Sequence, residues 1–243
     1  MITIFLKEIN LFFSSLVGYI AIVVFLVITG LLVWIFPDTN VLDYGFANLE
    51  QLFVIAPWVF MFLIPAVTMR SFSEEISAGT IELLVTRPLS DLSIILGKYF
   101  AAVVLVLFSV CPTLLYFYSI HSLGDPVGNI DTGATWGSYL GLIFLASAFA
   151  AIGVFASSIS RNQIVSFVLA LFLCFFMYIA FDFLSDLEIF YATIDNIIEE
   201  LGINAHYRSI SRGVLDTRDL IYFISLNAIF ILLTKFSLES RKW

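Results

Sequence analysis

The stretch SFSEEISAGTIELLVTRP, from Ser71 to Pro88, decides how the rest of the chain is interpreted. It lies between two long apolar runs, is too polar to cross a bilayer, and is too short to form a domain. Its composition predicts a helical element at the membrane surface that is presented to a partner. An ordinary interfacial helix with a solvated acidic face fits the periodicity equally well.

Local patterns predict where this element begins, bends and ends. Ser71 and Glu74 have the spacing of a capping box, so Ser71 is expected to cap the first turn. Gly79 interrupts the helix at a cost of about 1 kcal/mol relative to alanine and permits a bend. Arg87 precedes Pro88, and a residue before proline is pushed out of the helical region, so the element is expected to stop there.

Helical spacing also predicts which side chains of the stretch share a face. Ile76, Leu83 and Leu84 can share one apolar face. Glu75 and Glu82 lie elsewhere on the circumference, where we expect them to be exposed and to form at most surface ion pairs.

The composition places the chain in a membrane. It is 61% hydrophobic and 12% charged, and an ordinary soluble domain carries roughly twice that share of charge. Several charge-free runs reach the length of about 20 residues that a membrane helix needs. We therefore predict an all-α, polytopic membrane protein with a single transmembrane domain over residues 1–243. Its six spans are predicted at about residues 15–36, 51–69, 99–120, 136–157, 163–181 and 220–236.

The segments around these spans have recognisable roles. Residues 1–13 mix apolar and charged side chains, which favours an interfacial helix before the first span. Ser90 or Asp91 is expected to cap the helix that leads into the third span, and Pro112 to bend that span. Glycine and alanine in the fourth span should let neighbouring helices approach closely. Residues 182–219 form an outer segment that starts with an amphipathic helical pattern and should lie at the interface or dip partly inward.

The distribution of charge predicts the orientation. Six spans place both termini on one side, and eight of the 11 lysines and arginines fall on that side with six of the 19 acids. The terminal side then carries +2 and the opposite side −10. Because cytoplasmic loops are enriched in lysine and arginine, we expect the termini and the stretch from Ser71 to Pro88 to be cytoplasmic.

No catalytic or metal-binding motif is present. The chain lacks a P-loop, HExxH and GxSxG. His121 and His206 are isolated and are expected to be surface residues, and Asp182 is expected to be a helix-end residue at the water boundary. Asp125 ends a partial match to the GxGD signature of intramembrane aspartyl proteases, but it lies in a loop and the first glycine is missing.

A polar cluster precedes the sixth span. It comprises Arg208, Arg212 and Arg218 with Asp216 and Asp219. The cluster could attract an anionic substrate, but an internal salt-bridge network is the favoured interpretation.

The stretch that opened this section resembles a known signature. From Glu75 to Pro88 it matches the pattern E-x-x-x-G-T-x-E-L-L-x-x-x-P of ABC-2-type transporter permeases. The similarity continues through Gly97-Lys98-Tyr99, includes the outer segment before span six, and covers essentially the whole chain. In that family the segment between spans two and three is a coupling helix that docks on an ATPase subunit. The resemblance implies this coupling role for Glu74, Glu75, Gly79, Thr80, Glu82, Leu83, Leu84, Arg87 and Pro88.

The resemblance also implies partners. The chain would be one half of a membrane channel, paired with itself or a sister permease and with two copies of a separate cytoplasmic ATPase. ATP and Mg²⁺ would bind to that ATPase, so this chain would carry no cofactor and would not be an enzyme by itself. A bacterial inner-membrane location follows. Within the family, residues 70–102 look closest to gliding-motility-associated permeases of the GldF type, whose complex can include a subunit with a large outer domain.

Three alternatives remain open. One is a permease-fold scaffold that uses ATP for assembly or mechanical work and moves no substrate. Another is a related permease of the nitrous-oxide reductase maturation type. The most remote is an intramembrane hydrolase.

Overall fold

The computed structural model describes residues 1–37, 39–43, 45–81, 90–185 and 192–240, and every regular element in these ranges is helical. The helices are α1 (Ile2–Ser14), α2 (Leu16–Trp34), α3 (Glu50–Thr68), α4 (Ser73–Ser77), α5 (Asp91–Val110), α6 (Leu114–Leu123), α7 (Thr132–Ile159), α8 (Gln163–Phe175), α9 (Phe181–Ser185), α10 (Ala192–Glu200), α11 (Ile203–Ile210) and α12 (Thr217–Glu239). A 3₁₀ turn at Cys111–Thr113 separates α5 from α6, and a π-helical segment at Phe176–Ala180 joins α8 to α9.

The predicted all-α membrane class is confirmed. Among the described residues, five helical stretches are long and apolar enough to cross a membrane, and α1 with α2 provides a sixth if that pair, bent by 71°, is counted as one span. The bend lies at Ser15, whose backbone is extended between the two helices. The predicted first span therefore corresponds to α2, and α1 is a separate helix before it.

The helix that leads into the third predicted span begins where the sequence placed its cap. This helix, α5, starts at Asp91. Ser90 caps it by accepting a hydrogen bond from the Ser93 amide at 3.3 Å, as the sequence predicted. The α-helix is interrupted around Pro112, where a 3₁₀ turn separates α5 from α6.

Helix α7 is the centre of the bundle. It packs against α3, α5, α8 and α12, and 72% of its most apolar window is buried, compared with 22% for α12. Glycines make this possible because they let neighbouring helices come close. Gly153 faces the side chain of Thr68 on α3, and a Cβ on Gly141 would lie 2.8 Å from Ile210 on α11. The predicted role of small residues in this span is confirmed.

The outer segment divides into two helices with different environments. On α11, Ile203, Tyr207 and Ile210 are fully buried, and the Tyr207 hydroxyl donates a hydrogen bond to the Phe53 carbonyl of α3 at 2.7 Å. On α10, Ile197 is exposed. Within the described part of the segment, α11 therefore dips into the bundle, whereas Ile197 of α10 lies at the surface.

Charged residues gather at two opposite ends of the bundle. Lys7, Arg70 and Glu74 line one cavity where α3 gives way to α4, and we call this the α4 end. Asp131 and Arg208 line another cavity where α7 begins, at the outer end. This separation into two groups agrees with the charge pattern of the sequence.

Candidate functional site

The candidate site is the described part of the predicted coupling segment, residues 71–81. It consists of a turn after α3, the short helix α4, and a second turn that ends near Ile81. Helix α4 is shorter than the predicted element. The candidate residues Glu82, Leu83, Leu84, Arg87 and Pro88 lie outside the described residues.

The start of α4 is capped by a distant residue. The predicted capping box is wrong, because α4 begins at Ser73 and the side chain of Ser71 caps nothing there. Instead, Ser157 near the end of α7 accepts hydrogen bonds from the amides of Phe72 at 2.8 Å and Ser73 at 3.1 Å. Its own hydroxyl donates to the carbonyl of Met69 at 3.2 Å. This contact ties the start of α4 to the central helix.

The end of α4 depends on Gly79. Its φ is +67°, a left-handed conformation that glycine adopts without the strain of a side chain. The Thr80 amide donates to the Glu75 carbonyl at 3.0 Å, and the Gly79 amide donates to the Ile76 carbonyl at 3.3 Å. These two bonds form a Schellman motif, which ends a helix and turns the chain. The prediction that Gly79 interrupts the helix is confirmed.

A closed ring of charge lies under α4. Four side chains form it: Lys7 and Glu8 of α1, Glu75 of α4 and Lys98 of α5; we call it the charge ring. Lys7 Nζ lies 2.6 Å from Glu75 Oε1 and 3.7 Å from Glu8 Oε1. Lys98 Nζ lies 2.7 Å from Glu8 Oε1 and 2.9 Å from Glu75 Oε2, the latter outside hydrogen-bond alignment. Positive and negative groups alternate around the ring, so its formal charge is zero.

Two members of the ring, Glu75 and Lys98, are buried, which corrects an expectation. The side chain of Glu75 is 11% exposed and that of Lys98 is 1% exposed. Glu75 was predicted to lie on the exposed circumference, and that prediction is wrong because α1 folds over this side of α4. A buried charge is tolerated only when it is paired, and each carboxylate of the ring has two ammonium neighbours.

Lys98 holds three neighbours at once. Its ammonium group donates hydrogen bonds to Glu8 and to the carbonyl oxygen of Ser71. It also forms an ion pair with Glu75 Oε2 at 2.9 Å. Its Nζ also lies 4.9 Å from the centre of the Phe72 ring, within the range of a cation–π interaction. Through Lys98, α5 therefore holds both the turn before α4 and α4 itself.

The opposite face of α4 is free for a partner. Glu74, Ser77, Ala78, Gly79 and Thr80 are exposed. We call these five residues the exposed α4 face. One helix thus has an outer side that a second protein can contact and an inner side that is bonded to three other helices.

The outer arginine cluster does not form the predicted network. Arg208 pairs with Asp182, at 3.2 Å, and the amide of Asn204 also donates to Asp182. Arg212 and Arg218 have no ion pair within the described residues. The favoured interpretation of the cluster as one internal network is therefore wrong, since the observed pairs recruit partners from outside it.

The two aspartates of the cluster have separate local roles. Asp216 caps α12 by accepting a hydrogen bond from the Arg218 amide at 3.0 Å. This bond is the main reason that the pKa of Asp216 lies below its usual value, aided by Thr217 and the charge of Arg218. Asp219 is buried in the first turn of α12 and contacts His206 at 2.7 Å.

His206 is not the isolated surface residue that was predicted. Its Nδ1 lies 2.7 Å from Asp219 and its Nε2 lies 2.9 Å from the Glu200 carbonyl. Its ring stacks on Tyr222 with 3.9 Å between centres. His206 therefore links α10, α11 and α12 at the outer end.

A polar bridge inside the bundle was missed by the sequence analysis. The Tyr99 hydroxyl donates to Asn227 at 3.1 Å, and the Asn227 amide donates to Ser147 at 3.0 Å. These bonds connect α5, α12 and α7. The available signal was Asn227 itself, because a polar amide within an apolar span usually bonds to another helix. In the same way, Lys98 within an apolar run signalled a buried partner.

Comparison with known proteins adds one match. The sequence pattern of a family described as "ABC-2 family transporter protein" matches residues 44–203, which include α3, α4 and the central helix α7. The comparison with curated proteins finds no match.

Proposed function

Because this chain belongs to the ABC-2 transporter family, we propose that it is the membrane permease of an ABC transporter and that residues 71–88 couple it to a separate cytoplasmic ATPase. Permeases of this family generally work with such an ATPase and are typically non-catalytic. The observation that carries the proposal is the two-sided environment of α4, with an exposed face outside and the charge ring inside.

The charge ring gives a physical route for coupling. ATP and Mg²⁺ bind to the partner ATPase, and closure of that partner pushes on the exposed α4 face. Glu75 passes the displacement to Lys98 and Lys7, because the short contacts of the ring resist separation of its charges. Helices α1 and α5 then tilt together with α4. The chain itself contributes movement and no chemical step.

The assembly follows from the same proposal. The permease forms a homodimer, or a heterodimer with a second permease-type subunit that can carry a large outer domain, and it binds two ATPase copies. The membrane is the bacterial inner membrane with both termini in the cytoplasm. Supporting this orientation, the α4 end carries most of the chain's basic residues. A cysteine replacing Ser77 should react with an impermeant reagent only after permeabilisation.

We propose export or mechanical work as the use of the ATP, within a gliding-motility complex. The alternatives are a permease-fold scaffold that moves no substrate, a permease of the nitrous-oxide reductase maturation type and, remotely, an intramembrane hydrolase. Asp125, the residue on which the hydrolase alternative depends, lies in the bend after α6 and not within a helix. Stimulation of ATPase activity by a substrate would distinguish a transporter from a scaffold.

The test places positive charge on the exposed α4 face. We expect the double variant Glu74→Lys, Ser77→Lys to insert normally and to lose the ATPase on purification, because like-charge contacts at an interface cost several kcal/mol. The matched control reverses Glu199 and Glu200, which lie on α10 at the outer end, and should keep the ATPase. Loss of the ATPase from the control, with retention in the α4 variant, would overturn the assignment.

A further inference from the structure

A cavity of about 370 Å³ lies between α1, α3 and α5 at the α4 end, and we call it the α1–α3–α5 cavity. Its volume is in the range of small-ligand sites. One part of its wall is polar and holds three cations, three acids and several hydroxyl groups: Lys7, Arg70, Lys98, Glu8, Glu74, Glu75, Ser14, Ser15, Ser71 and Thr80. The rest is largely apolar, formed by Leu11, Phe12, Ala66, Val67, Ala101, Ala102 and Leu105. The cavity therefore has the two-part character of a phospholipid, a polar head beside apolar chains.

Arg70 is the cation in this wall that lacks a counter-ion. No carboxylate of the described residues lies within 4.0 Å of its guanidinium. Its Nη1 donates a long hydrogen bond of 3.3 Å to Ser15 Oγ. Its Nε is shielded from solvent and has no hydrogen-bond partner among the described residues. A shielded donor without an acceptor is unfavourable, so the site is incomplete as it stands.

Two neighbouring groups can complete an anion site with Arg70. Ser15 accepts the bond from Arg70, and within the described residues its own hydroxyl donates to no acceptor. The side chain of Lys7 is 45% exposed, so its ammonium can bind a ligand in the cavity while it keeps its bond to Glu75. These donors suit a phosphate group, whose oxygens accept several bonds from arginine and lysine at once.

The acidic residues that line the cavity do not neutralise the positive charge of Arg70. Glu8 and Glu75 are neutralised by Lys7 and Lys98 within the charge ring. Glu74 stands on the exposed rim of the cavity but outside ion-pair distance of Arg70. The charge of Arg70 thus remains available to an incoming anion.

We propose that the α1–α3–α5 cavity binds a phosphate group through Arg70, Ser15 and Lys7, and that the phosphate belongs to an anionic phospholipid. The apolar part of the wall favours a lipid over free phosphate, because it offers contact to acyl chains. The apolar residues Ile2, Leu6 and Leu11 are exposed on α1, where lipid can reach them. Basic pockets between membrane helices at the bilayer surface commonly bind lipid headgroups. The bound lipid would brace α1 against α3 beside the charge ring.

The experiment measures lipid binding to the full-length chain in neutral detergent. Phosphatidylglycerol, phosphatidylcholine and millimolar inorganic phosphate are titrated separately, with native mass spectrometry and thermal unfolding as readouts. Both lipids carry a phosphate, but phosphatidylcholine also carries a choline cation, which the positive charges of Arg70 and Lys7 disfavour. We therefore expect phosphatidylglycerol to bind the unmodified chain about tenfold more tightly than phosphatidylcholine. Arg70→Gln should abolish that preference, and Ser15→Ala should reduce it. Arg161→Gln is the matched control, because Arg161 is an exposed arginine at the same end of the bundle.

The outcomes separate the sources of the phosphate. Stabilisation by phosphatidylglycerol alone identifies a lipid headgroup, whereas equal stabilisation by inorganic phosphate identifies a free phosphate at the same site. Equal binding of the two lipids by the unmodified chain, with no effect of inorganic phosphate, would overturn the proposal. Equal losses in the Arg70 and Arg161 variants would also overturn it. If Arg70→Gln does not fold, the Ser15→Ala variant and the lipids retained by the unmodified chain decide the question.

Discussion

Charged side chains are connected differently at the two ends of the bundle. At the α4 end, the charge ring joins three helices, with bonds that span 68 residues between Lys7 and Glu75 and 90 between Glu8 and Lys98. At the outer end, the contacts are separate pairs between residues closer in the chain, 26 apart for Arg208 and Asp182 and 13 apart for His206 and Asp219.

The two arrangements differ in how far the displacement of one charged side chain affects its neighbours. Each charge of the ring touches two others, and its central ammonium, Lys98, is sealed from solvent. Displacement of one member therefore disturbs the whole ring. The outer pair of Arg208 and Asp182 includes an arginine side chain that is 57% exposed and can move without disturbing the bundle. The ring suits the transmission of force, whereas the outer pairs suit local attachment of α11.

The largest expected effect comes from breaking the ring at its buried ammonium. Lys98→Met keeps most of the side-chain volume but leaves Glu8 and Glu75 with only Lys7 as a cation. Removing one partner of a buried ion pair typically costs about 3–5 kcal/mol. We expect a loss of that order in the free energy of unfolding, measured by denaturant titration in detergent, together with loss of coupled ATPase activity.

A double-mutant cycle makes this prediction specific to the ring. Glu75→Gln alone should also destabilise the chain, since it leaves two ammonium groups facing Glu8. The combined variant removes one charge of each sign, so its loss should be smaller than the sum of the two single losses. Simple additivity would show that Lys98 and Glu75 are not energetically coupled and would refute the ring as a unit.

A smaller effect is expected at Gly79. Its φ of +67° strains any residue with a side chain, by about 1–2 kcal/mol, although a Cβ there would meet no atom within 4 Å. Gly79→Ala should therefore lower stability modestly and reduce copurification of the ATPase, because it distorts the Schellman turn that presents Thr80. Gly79→Pro, which also removes the amide bonded to Ile76, should act more strongly.

The chain offers a matched control at Gly45. It has a φ of +68° and also has no atom within 4 Å of a Cβ. Gly45→Ala should therefore lower the free energy of unfolding by a similar amount. Because Gly45 lies in the connection between α2 and α3, away from α4, its substitution should leave ATPase binding unchanged. Equal loss of the ATPase in both alanine variants would mean that the effect reflects general instability.

The sequence was sufficient to predict structural features that depend on residues close together in the chain. The apolar runs predicted the membrane class, Ser90 predicted a helix cap, Pro112 predicted a break, and Gly79 predicted the end of a helix. The cap, the break and the helix end each arise within one turn of the residue that causes them, and each apolar run lies within one continuous stretch of the chain. Such signals can be taken from the chain without knowledge of its neighbours.

The sequence predictions failed where a contact with a distant segment of the chain determines the local structure. Periodicity separated Glu75 from the apolar face of α4 but could not show that α1 would cover that side. The Ser71 cap failed because Ser157, 85 residues along the chain from Phe72, takes its place. His206 was considered isolated because its partners, Tyr222 and Asp219, lie on another helix. For Lys98, the useful signal was its position within an apolar run, which predicts a partner without identifying it.

The smallest expected effect completes the comparison between the two ends. Arg208→Met makes a change of the same type as Lys98→Met, but on a side chain that is more than half exposed and that pairs, among the described residues, with Asp182. Exposed ion pairs contribute about 0–1 kcal/mol, and Asp182 keeps the hydrogen bond from the Asn204 amide once Arg208 is replaced. We expect a change of less than about 1 kcal/mol in the free energy of unfolding, weakened further at high salt, and full retention of the ATPase. A loss equal to that of Lys98→Met would show that the outer pairs carry as much of the bundle's stability as the charge ring, and the distinction between the two ends would fail.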